Sequence, residues 1–134
     1  MEGLIPWSGT KDEYKEHIRE HRQLFKHFEK KIYGKVSYRS YLHDLDKLIL
    51  LKFINNVDLV RRIHRYYSAH HLGGISLVRD YKATLIDWFT VSKRKRNPIG
   101  SWWVDSKINY DKKAVKVINK FMVKYKIDKK WEEV

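Results

Sequence analysis

The chain has 134 residues, no cysteine, and 29 Lys and Arg against 16 Asp and Glu, a formal charge of +13. One domain is expected at that length, and 43% hydrophobic residues with 14% aromatics supply enough apolar surface for a packed core, which excludes global disorder. Disulfides, thiolate metal sites and a cysteine nucleophile are excluded, no apolar run reaches the ~18 residues of a membrane span, and no signal-peptide pattern opens the chain. The expectation is a cytoplasmic protein, away from the membrane, with anionic partners.

Residues 1–10, with Gly3, Pro6 and Gly9, read as an irregular lead-in. From about Lys11, Ile18, Leu24, Phe25, Phe28 and Ile32 recur at spacings of three and four, which predicts an amphipathic helix that Gly34 ends. A second helix carries Tyr38, Tyr41, Leu42, Leu45, Leu48, Ile49 and Phe53 up to a break at Asn55-Asn56. A third starts near Asp58 and runs through Leu59, Ile63, Tyr66 and Tyr67, stopping before Gly73-Gly74. A fourth spans Ile75 to about Thr90, with Leu77, Val78, Tyr81, Leu85, Ile86 and Phe89. After a loop around Pro98, Asp111 caps a last helix whose stripe is Ala114, Val117, Ile118, Phe121 and Tyr125. No strand pair or hairpin turn intervenes. The pattern predicts an all-α bundle of about five helices in one domain.

The charge is uneven: residues 1–60 are near neutral at +2, and residues 61–134 hold +11. Lys93-Arg94-Lys95-Arg96 precede Asn97-Pro98 in a predicted loop, where they suit phosphate contacts, although a nuclear-import signal has the same form. Lys112, Lys113, Lys116, Lys120, Lys124 and Lys126 extend the basic half and fit a solvated face equally well. Trp102-Trp103 follow the basic run, in a place that suits either base stacking or a core anchor.

The chemistry-bearing residues are histidines and carboxylates. His17, His21 and His27 fall on the first helix, His43 on the second, His64 on the third, and His70-His71 just after it. His21 shares the apolar side with Phe25 and Phe28 and is expected to point inward, whereas His27 reads as an ordinary hydrogen-bonded histidine. His43-Asp44 is flanked by leucines, and burying such a pair is unfavourable unless both groups find partners. A divalent cation with oxygen and imidazole ligands would satisfy both at once. Asp87, in Leu85-Ile86-Asp87-Trp88-Phe89, is a second carboxylate among apolar residues.

In this order, His21, His43-Asp44, His64, His70-His71 and Asp87 resemble the metal-ligand pattern of the HD phosphohydrolase superfamily. More narrowly, Glu20-His21-Arg22, His43-Asp44-x-Asp46-Lys47, His64 with His70-His71, and Asp87-Trp88 are similar to a family of small uncharacterised HD-like domains of bacteria and phages. These segments span residues 20–88, about half the chain. Two positions depart from the narrower pattern: Ser68 where that family tends to carry Asn, and Asp46 where it tends to carry Ser. The departures bear on metal tuning more than on fold.

The resemblance implies a metal-dependent phosphohydrolase acting on a nucleotide or another phosphoester, with one or two divalent ions (Mn, Fe, Ni, Co or Mg). It implies Asp44 as the central ligand, with His21, His43 and Asp87 around it and His64 as a further ligand or phosphate contact. His70 or His71 would complete a second metal or act as general acid, and His17 competes with His21 for the first position. Lys47 is placed to meet substrate phosphate or to pair with Asp44 or Asp46. Arg61 and Arg65, beside His64, and Lys93, Arg94 and Arg96 are the other candidate substrate contacts. The charge keeps open a second expectation, a non-catalytic nucleic-acid- or protein-binding module on the same scaffold.

Overall fold

Thr10 starts the first helix with a reciprocal cap: its hydroxyl accepts from Glu13 N at 3.1 Å, and the Glu13 carboxylate accepts from Thr10 N at 3.3 Å. The computed structural model of the chain describes residues 6–97, 103, 107 and 110–133; Gly3, Pro98 and Trp102 lie outside them. The helices are α1 (Lys11–Tyr33), α2 (Tyr38–Leu42), α3 (Leu45–Leu50), α4 (Val57–Tyr67), α5 (Tyr81–Arg94), α6 (Lys112–Lys124) and α7 (Ile127–Glu133). No strand occurs among the described residues, and the architecture is the predicted all-α bundle. Gly34 ends α1 as expected, at φ 83, where its N–H reaches Lys30 O at 2.9 Å. Asp111 caps α6 through Ala114 N at 2.8 Å.

Two apolar clusters hold the bundle. Phe25, Phe28 and Ile32 of α1 pack on Ala83, Leu85, Ile86 and Phe89 of α5 and on Ile127 of α7. Tyr14 and Ile18, at the other end of α1, pack on Leu51 and Val60. Each fully buried Ile, Leu or Phe here contributes roughly 1.5–3 kcal/mol by leaving water. His21 stands between Ile18 and Phe25 on one helix face, so the fold places a polar residue at the seam between its two clusters.

Three elements differ from the sequence expectation. The predicted second helix is interrupted at His43-Asp44: α2 stops at Leu42, Asp44 takes the left-handed conformation at φ 56, and α3 restarts at Leu45. Asp is one of the few L residues that enter that region readily. The predicted fourth helix starts late, at Tyr81, because Asp80 caps it through Ala83 N at 3.1 Å. Ile75, Leu77 and Val78 are exposed in the preceding loop, with Leu77 fully so, and pack into no helix face. The third helix follows its expectation, starting at Val57, capped by Asn56 through Leu59 N, and ending at Tyr67. The loop then turns back so tightly that a methyl group on Gly74 would collide with the carbonyls of Arg65 and Tyr66. A short helix that the periodicity did not predict, α7, closes the chain.

A candidate metal centre

Four segments bring the site together. On α1, Tyr14, His17, Ile18 and His21 follow the three-and-four spacing of one face, and on α5, Asp87, Val91 and Arg94 do the same. His43 and Asp44 come from the α2–α3 break, and His64 from α4 with His70 and His71 from the loop after it. The break is pinned from α1: Arg22 Nε donates to His43 O at 2.9 Å and its Nη2 to Tyr41 O at 2.6 Å. Thr84 of α5 holds the loop by donating to His70 O at 2.9 Å. His21, His43, Asp44, His64, His70 and Asp87 are all buried.

The donor atoms form two groups that share one carboxylate. In the first, His21 Nε2 lies 2.8 Å and His43 Nε2 3.0 Å from Asp87 Oδ1, with the two nitrogens 2.9 Å apart. Asp44 Oδ2 faces this group at 3.6–3.7 Å. In the second, His64 Nε2 is 2.9 Å and His70 Nε2 3.2 Å from Asp44 Oδ1, with the nitrogens 3.1 Å apart. Despite those distances neither contact has hydrogen-bond alignment, so Asp44 Oδ1 is buried without a hydrogen bond. Ring nitrogens this close can hold at most one proton between them. Convergent ring nitrogens and carboxylate oxygens, one of those oxygens buried without a hydrogen bond, and exclusively N and O donors fit a divalent cation.

The electrostatics keep the carboxylates ionised. Burial pushes Asp44 upward, but Lys47 and His43, with His64 and His70, outweigh it and hold the carboxyl well below the usual range. Asp87 is held down likewise, against burial, by His21 and His43. Lys47 Nζ sits 3.2 Å from Asp44 Oδ2, and this pairing keeps it charged against burial. His43 is lowered by burial. For His64 burial also acts against charge, but Asp44 and Asp46 prevail and raise its pKa. His71 is pushed down to about 2 by burial and then His70, so it is an uncharged ring at neutral pH.

A cavity of about 300 Å³ opens over the cluster, lined by His21, Asp44, His71 and Asp87 and by the cations Lys47, Arg61, Arg65 and Arg94. His17 lies on its wall, lowered to about 4 by burial and then by Arg94, and contributes no atom to either donor group. The sequence-predicted ligands therefore converge, with His21 rather than His17 in the first position. Arg61 also pairs with Asp58 at 3.0 Å. Lys93 lies elsewhere, its ammonium 4.0 Å over the Trp131 ring and 2.8 Å from Trp131 O. Arg96 is an exposed turn residue at φ 53. Trp103 is buried, its indole N–H on Asn119 Oδ1 at 2.6 Å, and serves as a core anchor.

No family model matches the chain, and no curated protein or solved structure matches it.

Two residues marked in the sequence for metal tuning orient the rings, and two that it did not mark, Glu29 and Arg39, fix the elements around them. Asp46 Oδ2 accepts from His64 Nδ1 at 2.7 Å, and Ser68 Oγ lies 2.8 Å from His70 Nδ1, so these two residues orient the rings. Glu29 is 1% exposed and accepts from Ser37 N, Ser37 Oγ and Ser40 Oγ at 2.6–2.8 Å, which fixes the start of α2 against α1. Arg39 pairs with both Asp80 oxygens at 2.9 Å and ties α2 to the start of α5.

Proposed function

We propose that the protein is a metal-dependent phosphohydrolase of the HD type that acts on a nucleotide or another phosphoester. The observation that carries this reading is the Asp44 carboxylate, shared between two imidazole groups under a cavity rimmed by four cations. His21, His43, Asp44 and Asp87 would hold one ion, and Asp44, His64 and His70, with His71 alongside, a second. A divalent cation of the Mn, Fe, Ni, Co or Mg class supplies Lewis acidity at a phosphoryl oxygen and a water of lowered pKa. Lys47 offsets the carboxylate charge at the centre and presents an ammonium to the cavity. Arg61 and Arg65, one turn apart on α4, and Arg94 on α5 hold the phosphate from the rim. His71, uncharged and on the cavity wall, sets a neutral ring beside the centre.

One observation favours a second reading. Lys112, Lys113, Lys116, Lys120 and Lys124 are all exposed on α6, which carries no carboxylate, a surface suited to a polyanion. No described helix is long and apolar enough to cross a membrane. The deciding experiment is a screen of nucleotides and general phosphodiesters with Mn²⁺, run beside metal-stripped protein. Metal-dependent turnover is expected. Silence across the panel from metal-loaded protein, together with nucleic-acid affinity that falls steeply with salt, would replace the enzyme with the binding module.

A further inference from the structure

The ring nitrogens that face away from the centre decide which histidines can ligate. His64 Nδ1 meets Asp46 Oδ2 at 2.7 Å, and a carboxylate accepts, so the proton of the neutral ring sits on Nδ1 and the lone pair on Nε2. His21 is arranged the opposite way. Its Nδ1 lies 3.3 Å from Arg94 Nη1, and a guanidinium has donors only. His21 Nδ1 therefore accepts, and the proton of the neutral ring sits on Nε2, where Asp87 Oδ1 takes it at 2.8 Å. A ring in that tautomer has no lone pair to offer a cation. Ligation through Nε2 moves the proton to Nδ1 and sets an N–H against the N–H of Arg94, a contact without an acceptor. Arg94 must then leave.

The cavity is where it goes. Arg94 is exposed at the C-terminal end of α5 and lines the cavity above Asp44 and Asp87. Its other recorded partner is the His17 ring at 3.4 Å, and no carboxylate pairs with it among the described residues. A guanidinium in that position, without a carboxylate, is matched by the two oxygens of a phosphoryl group.

We propose that Arg94 is an exchangeable plug: it blocks His21 in the metal-free protein and, once His21 takes a cation, swings into the cavity to bind the substrate phosphate. This rests on the metal-centre reading above and adds an order of events, in which the phosphate-binding residue becomes available only after the metal site fills.

Three measurements on wild type, Arg94→Ala and Arg94→Lys test it. Long-range ¹H–¹⁵N NMR of metal-free wild type should find His21 protonated at Nε2 and His64 at Nδ1; His21 protonated at Nδ1 overturns the proposal. Calorimetric titration should show Mn²⁺ binding about fivefold tighter to Arg94→Ala, as one opposing hydrogen bond is lost. Inorganic phosphate should bind Mn²⁺-loaded Arg94→Ala at least about tenfold more weakly than wild type, with Arg94→Lys between them. Unchanged phosphate affinity, or Mn²⁺ affinity that is unchanged or weaker, also overturns it. Wild type that binds no Mn²⁺ defeats the metal-centre reading itself, whereas wild type that binds both ligands and is matched by Arg94→Ala defeats only the role of Arg94.

Discussion

His64 and His70 are held through Nδ1 by Asp46 and Ser68 at 2.7 and 2.8 Å, whereas His43 Nδ1 is buried without a hydrogen-bond partner and His21 Nδ1 faces a guanidinium. The His21–His43 half is positioned by packing instead. The His43 ring stacks on Phe25 at 3.9 Å and 16°, and its backbone carbonyl is clamped by Arg22. Packing fixes where the His43 ring lies but leaves its tautomer free, while the carboxylate on His64 Nδ1 and the guanidinium on His21 Nδ1 each set one. Asp44 faces both halves with one oxygen each, so the two differ in their orienting residues while sharing one carboxylate.

That sharing is the first thing to break. Asp44→Asn keeps the size and the left-handed tolerance of the residue at φ 56 but removes the anionic bridge. Elemental analysis should show both ions lost, with affinity down by more than about a hundredfold, because a carboxylate ligand and its charge disappear from both halves. Full occupancy in Asp44→Asn would mean that each half holds its ion without the shared oxygen. Lys47 also loses its partner, so the metal-free variant should unfold at lower denaturant than metal-free wild type.

A smaller change should separate the halves. Asp46→Ala removes only the acceptor on His64 Nδ1, from a side chain 48% exposed, so the fold should tolerate it. Metal affinity of the His64–His70 half should fall about 10–100-fold, with the other half unaffected. Ser68→Ala removes a neutral partner and should weaken the same half by about fivefold, in line with one net hydrogen bond. Two-phase Mn²⁺ titrations check both variants. If the variants weaken the two halves equally, orientation through Nδ1 is not what distinguishes them.

The candidate donors stood out in the sequence because carboxylates among leucines are conspicuous and because their order resembles the HD pattern. Asp46 and Ser68 were marked in the sequence as bearing on metal tuning, but which ring each meets depends on the approach of α3 and the post-α4 loop, a tertiary contact that leaves no local pattern. The break at His43-Asp44 escaped for a related reason. Tyr38 to Phe53 fits one helical period, and an Asp in left-handed conformation has none of the marking that a Gly or Pro provides. Ile75, Leu77 and Val78 also fit a helix period, yet the Asp80 cap starts α5 beyond them. Glu29 carried no mark in the sequence, and only the return of Ser37 and Ser40 makes its burial tolerable.

Acid should sharpen the contrast in the opposite direction. A proton competes with the cation for each imidazole lone pair, so the half whose histidine holds its proton more tightly releases metal at higher pH. For His64, burial disfavours charge, but Asp44 and Asp46 raise the pKa above the usual histidine value. For His43, burial lowers it, and Asp44 and Asp87 do not restore it. As pH falls from neutral, the His64–His70 half should therefore empty first although it is the better oriented, and the His21–His43 half should follow at lower pH. In the metal-free protein the same signs oppose each other. Protonated His64 adds stability that is full below the unfolded histidine pKa and lost as pH rises through its folded value, while neutral His43 withholds stability as pH falls below the unfolded value. Mn²⁺ release followed by paramagnetic resonance from pH 7.5 downward should show two steps, and Asp46→Ala should move only the earlier one. A single step, unmoved by Asp46→Ala, would mean that the two halves lose their ions as one unit bound by Asp44.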